Sequence, residues 1–421
     1  MTSVIVGGGA AGLQAALTCR DCWPDKPVLL IDREQEIGYY RALLPQFMVG
    51  KIEEEKLFFW REREDPLVTV RRGVSVSSLD RKNRRLGLQS GDAIEYDRLI
   101  LAHGASPNMP GVVGALSCEG IFPIRDLTTA RKIREWISEH ENIVILGSSL
   151  VGVKTAVHLR SVGFKVSLVV RRDHTLLRAL SPHAAQLVDA HLRGMGVRLL
   201  MGCTVEDIEV KRGSIAAVRA GAQWVTCDTL LVAAGATPDT GFLEESGLLE
   251  NGELVVSPTL QTRDRKIFVA GDVAVLSVGG EEKINPATWP HAVCQGRLAA
   301  QNLYQSAPAP LNILTWVNAM DLHGLSLVVL GPPVPGAEVL TYALPSEGIF
   351  RELFLIDKRI VGGTLLGDIS GAGPLHIIMQ RGASVEDEEK HLPHPRWSAL
   401  SRLSQDVRQE QRAFVLTEKG A

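Results

Sequence analysis

A chain of 421 residues that is 45% hydrophobic and 22% charged carries enough material for two to four ordinary domains of about 100 to 200 residues each, which excludes a mini-protein held by staples. With 45 basic against 48 acidic side chains and a net charge of −3, there is no basic excess to attract nucleic acid or an anionic membrane, so any affinity for phosphate must be local. The longest apolar runs, Leu325–Val329 and Leu230–Ala234, fall far short of the roughly 20 residues of a spanning helix.

The N-terminus runs from Met1 straight into Val4-Ile5-Val6 with no charged leader. Six scattered cysteines, at 19, 22, 118, 203, 227 and 294, suit a reducing compartment, so a cytoplasmic protein without disulfides is expected.

In chain order, the apolar strand Val4–Val6 leads into Gly7-Gly8-Gly9-Ala10-Ala11-Gly12 and then a helix carrying Leu13 to Leu17. A second strand, Val28–Ile31, ends at Asp32, 20 positions after Gly12. This is a dinucleotide fingerprint. Gly7 permits the tight turn, Gly9 lets a pyrophosphate approach the backbone, Gly12 lets helix and strand pack closely, and Asp32 can accept hydrogen bonds from a ribose. The helix N-terminus adds free N–H groups and the positive end of a dipole. A Cys19-x-x-Cys22 pair lies on this helix, where packing at helical spacing explains it; the competing reading is a redox pair or a metal site.

β-rich stretches follow at Leu67–Leu79, Arg85–Leu88 and Leu99–Ala105. The fingerprint then recurs in weaker form as Val144-Ile145-Leu146-Gly147-Ser148-Ser149-Leu150-Val151-Gly152, with Ser149 in place of the middle glycine. The strand after it, Val166–Val170, ends in Arg171-Arg172, with Arg178 further on. A ribose 2′-hydroxyl finds no carboxylate there, whereas arginines offer charge-assisted bonds to a 2′-phosphate, favouring NADPH over NADH. The competing reading is that the arginines are solvated surface charge. A second β-rich series runs from Val197 to Pro238, so each half reads as a Rossmann unit with an inserted meander. A helix from about Pro290 to Tyr304, a Pro-rich link around Pro308 and Pro310, a β-patterned segment and a polar tail complete the chain.

These motifs resemble, in this order, the flavin-dependent pyridine-nucleotide oxidoreductases with two dinucleotide-binding domains, and within them rubredoxin and ferredoxin reductases and the flavin module of nitrite reductases. The carriers are Gly7–Gly12, Tyr40-Arg41-Ala42-Leu43-Leu44-Pro45, Ala102-His103-Gly104-Ala105, Gly147–Gly152, Gly235-Ala236-Thr237-Pro238, Ile267–Asp272 and Trp289–Gly296. The resemblance implies an α/β fold of two Rossmann-like, three-layer domains of glutathione-reductase type with a smaller α+β C-terminal domain. It implies an FAD-binding domain from 1–112 and 234–310, an NAD(P)-binding domain from 113–233, an interface domain from 311–383 and a tail from 384–421.

In such proteins the first fingerprint holds FAD and the second the nicotinamide nucleotide. Gly7, Gly9, Ala10, Ala11, Gly12, Asp32 and Arg33 would then take the ADP half of FAD. Arg41, Pro45, Val76, Ala102, His103 and Gly104 would line it further along. Gly271 and Asp272 would meet the ribityl chain, and Trp289, His291 and Ala292 the flavin ring. Gly147, Ser149, Leu150, Val151, Gly152, Arg171, Arg172, Arg178 and Gly235 would hold NADPH or NADH. His291 would either hydrogen-bond the pyrimidine side of the flavin or pack in a turn.

The resemblance also implies an iron-sulfur electron-carrier protein or subunit as acceptor, and leaves a homodimer open. Disulfide reductases of this fold carry a redox cysteine pair where this chain reads Gly38 to Pro45 without a thiol, so electrons would leave directly from flavin. Two departures stand out. Relatives place a lysine and a glutamate near flavin N5 where this chain has Gln46 and Lys154, so a lone Lys154 would stabilise the anionic reduced flavin. A weak second fingerprint also leaves room for a flavoprotein subunit of a larger electron-transfer complex that takes no pyridine nucleotide. His103, where relatives usually have threonine, has no explanation from sequence.

Overall fold

The computed structural model describes residues 2–60, 68–111, 118–279, 282–311, 317–386 and 391–394. The expected tail lies, apart from its first residues and 391–394, outside the described residues. The chain divides into two compact units, Met1–Pro110 with Phe122–Glu139 and Ala234–Leu314, and Gly111–Ile121 with His140–Ala233 and Thr315–Ala421. The chain thus enters the second unit at Gly111–Ile121, returns to the first for Phe122–Glu139 and re-enters the second at His140.

In the first unit, five parallel strands lie in the order Ile267–Val269, Arg98–Leu101, Ser3–Val6, Val28–Ile31 and Val68–Arg71. The runs Val-Ile-Val and Val-Leu-Leu-Ile are apolar on both faces because parallel strands are covered on both, and Val4, Ile5, Leu30, Ile31, Leu99 and Ile100 are all buried. The helix Ala10–Cys22 follows the first strand. Its small residues, Ala11, Gly12, Ala15 and Ala16, are buried and let the helix Trp289–Asn302 approach it closely. A Cβ on Gly296 would stand 2.1 Å from the carbonyl oxygen of Ala11, so the two helices meet backbone to backbone. An antiparallel three-stranded meander, Val76–Asp80, Arg85–Leu88 and Ala93–Glu95, is the insertion of this half.

The second unit repeats the plan. Strands Arg198–Met201, Lys165–Val170, Asn142–Leu146 and Thr229–Val232 lie side by side with parallel registers. Its meander is Val205–Lys211, Ser214–Ala220 and Gln223–Thr226. The remainder of this unit is an antiparallel sheet ordered Val317–Asp321, Ser326–Leu330, Arg359–Leu366, Ile349–Ile356 and Glu338–Leu344. The helix Ala372–Arg381 covers one face, with Leu375 and Ile378 packed on Leu330, Leu353 and Leu365. This is the α+β architecture that the resemblance implied for the C-terminal domain. Among the described residues no helix is long and apolar enough to cross a membrane.

The helix contact at Gly296 sets a test. Gly296→Ala must push two buried helix backbones apart and is expected to cost about 1–3 kcal/mol. Gly373→Ala, on a helix where an added Cβ meets nothing within 4 Å, should leave stability unchanged or raise it slightly. Chemical denaturation of the two variants checks the contrast.

Candidate active site

The first glycine turn assigns a different physical role to each residue. Gly7 has φ +106° and its Cβ would lie 2.3 Å from the Ala102 oxygen, so only glycine serves there. A Cβ on Gly12 would stand 1.7 Å from the Gly7 oxygen. Gly9, by contrast, has extended backbone at φ −73° and ψ −168°, and its Cβ would meet nothing within 4 Å. Its missing side chain therefore leaves space outside the protein, over the N-terminus of the helix that begins at Ala10. That is the cradle an incoming pyrophosphate needs.

Asp32 ends the second strand beside this turn, 8% exposed. One carboxylate oxygen accepts from the Gly8 N–H and the other from the Glu34 N–H at 2.6 Å. Burial raises its pKa, with the two N–H groups opposing that shift. Arg33 pairs with Asp239 at 2.8 Å. Asp239 also ties down His103, whose Nε2 donates to the Asp239 carbonyl at 2.8 Å. Burial lowers the His103 pKa to about 4, so the ring is neutral, and its Nδ1 lone pair is closed to solvent and unpartnered. His103 thus does more than fill a turn: it fastens the Ala102–Gly104 segment under the glycine turn.

At the other end of the same unit, Gly271 donates its N–H to Gln295 Oε1 at 2.7 Å and packs on Ala11. Asp272 forms an ion pair with Arg125 at 3.1 Å, and Asn285 Nδ2 donates to the Asp272 carbonyl at 2.9 Å. Arg125 is also close to Gly104, whose Cβ would lie 3.5 Å from its Nη2. Arg41 Nη1 donates to the Arg125 carbonyl at 2.9 Å, and its Nη2 pairs with Glu34. A charged chain, Glu34–Arg41–Arg125–Asp272, therefore links the neighbourhood of Asp32 to that of Asp272. Sequence reasoning missed Arg125 and Glu34. Arg125 precedes Asp126, the N-cap of the helix Leu127–Trp136, and nothing local marks it as a partner of a residue 147 positions away.

His291 is 7% exposed, bonded through Nδ1 to Thr288 Oγ1 at 2.8 Å, and burial lowers its pKa. Trp289, Tyr40 and Phe59 form an aromatic trio with centroids 4.8 to 5.3 Å apart. Pro45 opens a short buried helix, Leu44–Met48. Val76 lies half-buried in the meander, in register with Leu88. Gly235 also falls in this first unit, where its oxygen accepts from the Asn108 N–H at 3.0 Å.

In the second unit, Gly147 has φ +114° and a Cβ on Gly152 would lie 1.8 Å from the Gly147 oxygen, as at Gly7 and Gly12. Ser149 has φ −77° and ψ −179° and caps the helix Leu150–Ser161 without a side-chain bond. It occupies the position where Gly9 had ordinary backbone and open space, so serine fits without strain and its hydroxyl stays available. The turn is altered in surface chemistry while its backbone is intact. Val151 is 44% exposed beside it, and Arg171, Arg172 and Arg178 are exposed on the loop after the strand Lys165–Val170. Lys154 is half-buried on the helix, and burial lowers its pKa.

Residues 1–296 match the family described as pyridine nucleotide-disulphide oxidoreductase. The chain belongs to this family. It is 28% identical over 398 residues to a protein named NADH oxidase from Methanocaldococcus jannaschii, spanning 87% of this chain and 88% of that one. Over 366 residues it is 27% identical to a protein named rubredoxin-NAD(+) reductase from Pseudomonas putida, spanning 84% and 92%. A solved covalent complex of putidaredoxin reductase with putidaredoxin superposes with a TM-score of 0.87 at 22% identity, covering 97% of this chain and 99% of that one.

This oxidoreductase is accordingly an FAD-dependent enzyme with a nicotinamide nucleotide as substrate. Its first unit fits the flavin nucleotide: an open cradle at Gly9, a carboxylate at Asp32, and two orphaned buried acceptors, His103 Nδ1 and Asn285 Oδ1. Despite the family's name, residues 38–45 hold no cysteine. Cys19 is buried with its thiol pushed up to about 12 by burial, which makes it inert as a nucleophile. Cys19 packs in the core as the helical-spacing explanation expects, whereas Cys22 of the same pair is exposed. All six cysteines are free.

The contrast between Gly9 and Gly12 predicts a separation of stability from binding. Gly9→Val should fold with near-normal stability yet hold FAD about ten-fold more weakly or worse, because the side chain fills the cradle. Thermal unfolding of the apoprotein and flavin fluorescence on dilution measure the two effects.

Proposed function

We propose that this protein takes electrons from NADPH in preference to NADH and passes them through flavin to a small iron-sulfur carrier protein, without a redox disulfide. The division of labour is FAD in the first unit and the nicotinamide nucleotide in the second. The observation that carries the nucleotide preference is the end of the strand Lys165–Val170, which presents exposed Arg171 and Arg172 where the first unit presents buried Asp32. A 2′-phosphate suits arginine and a bare ribose suits aspartate. The named NADH and NAD(+) enzymes among the relatives make this loop the point at which this chain would diverge.

Bound FAD supplies the conversion of a two-electron hydride into single electrons. The chain's own residues do the rest. Asp32, held by two backbone N–H groups, would offer the remaining lone pairs of its carboxylate to ribose hydroxyls. Arg125 balances Asp272 and fixes the direction of that carboxylate, and Gln295 and Asn285 hold the backbone on either side of it. His291, neutral and held by Thr288, sits in the first turn of the helix Trp289–Asn302, whose N-terminus brings a positive dipole end to this part of the site. The missing thiol at residues 38–45 supports a protein acceptor over an internal disulfide, and the name of the Pseudomonas putida relative supports a rubredoxin-like carrier. Six free cysteines support action in the cytoplasm.

Anaerobic titration of the yellow protein tests this reading. NADPH should bleach the flavin absorbance at micromolar concentration and NADH only at concentrations about ten-fold higher or more, after which added rubredoxin or ferredoxin should be reduced. Equal bleaching by both nucleotides would overturn the preference. No bleaching by either would leave a flavin fed by a protein partner.

A further inference from the structure

The arginine loop is clamped at two points that the proposed function does not use. Leu176 donates its N–H to the Ser148 carbonyl at 3.0 Å and accepts a left-handed φ of +57° to do so, which closes the loop on the second glycine turn. Behind the loop, Asp189 of the helix Pro182–Gly194 is 0% exposed. It accepts from the Thr175 N–H at 3.2 Å, from Thr175 Oγ1 at 2.7 Å and from His174 Nδ1 at 2.8 Å.

The last bond fixes a tautomer. A carboxylate only accepts, so Nδ1 of His174 carries the hydrogen, and the neutral ring has a bare lone pair on Nε2. The His174 side chain is 31% exposed while its partner is fully buried, which leaves the edge bearing Nε2 on the open side, on the same loop as Arg171, Arg172 and Arg178. Asp189, from the helix behind it, is the charged group in contact with the ring, and the loop that carries His174 also carries the exposed Arg171, Arg172, Asp173 and Arg178. No other acid among the described residues lies within 4 Å of its ring nitrogens.

We propose that His174 is a proton-gated specificity residue for the 2′-phosphate of NADPH. This rests on the reading of the arginine loop as the 2′-phosphate site. In the neutral ring the Nε2 lone pair faces the phosphate oxygens and repels them. When Nε2 takes a proton from solvent it becomes a donor, and the buried Asp189 balances the imidazolium while keeping the ring in place. Binding of the 2′-phosphate therefore draws a proton onto the protein. Discrimination between NADPH and NADH strengthens as pH falls, and Thr175 and Leu176 keep the loop in register at every pH.

The test uses the FAD-loaded full chain and two calorimetric probes, 2′,5′-ADP and 5′-ADP, at about pH 6.5 and pH 8.5, above most of the phosphate's own titration near 6. The wild type should prefer 2′,5′-ADP at both values, with a preference about five-fold larger at the lower one. His174→Gln, which keeps an N–H for Asp189, should show the same preference at both. A preference in the wild type that does not change with pH, or a pH dependence that survives in His174→Gln, overturns the role of His174 and leaves the arginine reading standing. If 2′,5′-ADP binds no tighter than 5′-ADP at either pH, the arginine reading itself falls, and the proposal with it.

Discussion

The structure depends on one close approach, made twice. At Gly12 and again at Gly152 the helix backbone lies so near the preceding turn that an added Cβ would stand less than 2 Å from a carbonyl oxygen. That contact holds the helix N-terminus over the end of the sheet, and its N–H groups and dipole become a phosphate site only because they are held there. Everything chemical is arranged around these two fixed points. The sheets supply residues at the strand ends, and the helices Trp289–Asn302 and Pro182–Gly194 supply the groups that orient them, Gln295 in one case and Asp189 in the other.

The two halves use the same backbone for opposite electrostatics. Asp32 is buried, negative and satisfied by backbone N–H groups, whereas Arg171, Arg172 and Arg178 are exposed and positive. A buried acid, fixed by backbone N–H groups with lone pairs to spare, suits a permanently held cofactor. An exposed cationic loop suits a substrate that arrives and leaves, since charged side chains at the surface steer anions and release them. The weakening of the second glycine turn follows the same division: Ser149 keeps the backbone and adds a hydroxyl.

Much of this was legible in the sequence because it is local. The glycine turns, the strand runs and the acid or arginine that ends each second strand lie within about 30 residues of one another, the span of one βαβ unit. Ser149 read as degeneracy because a sequence does not distinguish a glycine needed for φ, such as Gly7, from one needed for space, such as Gly9. Arg125, Glu34 and Asp189 were not legible, since each acts on a partner brought near by tertiary folding. His103 was visible as an oddity but not as a brace, because its partner, the Asp239 carbonyl, is a backbone atom with no signature in sequence.

A crystal structure of the protein loaded with FAD and NADP+ tests the central claim, that one backbone plan is given two nucleotides by what stands at the strand ends. The adenosine ribose of FAD should lie within hydrogen-bond distance of Asp32, and the 2′-phosphate of NADP+ within hydrogen-bond distance of the loop from Arg171 to Arg178. A 2′-phosphate pointing to solvent away from that loop, or FAD seated on the Gly147–Gly152 turn, would contradict the account.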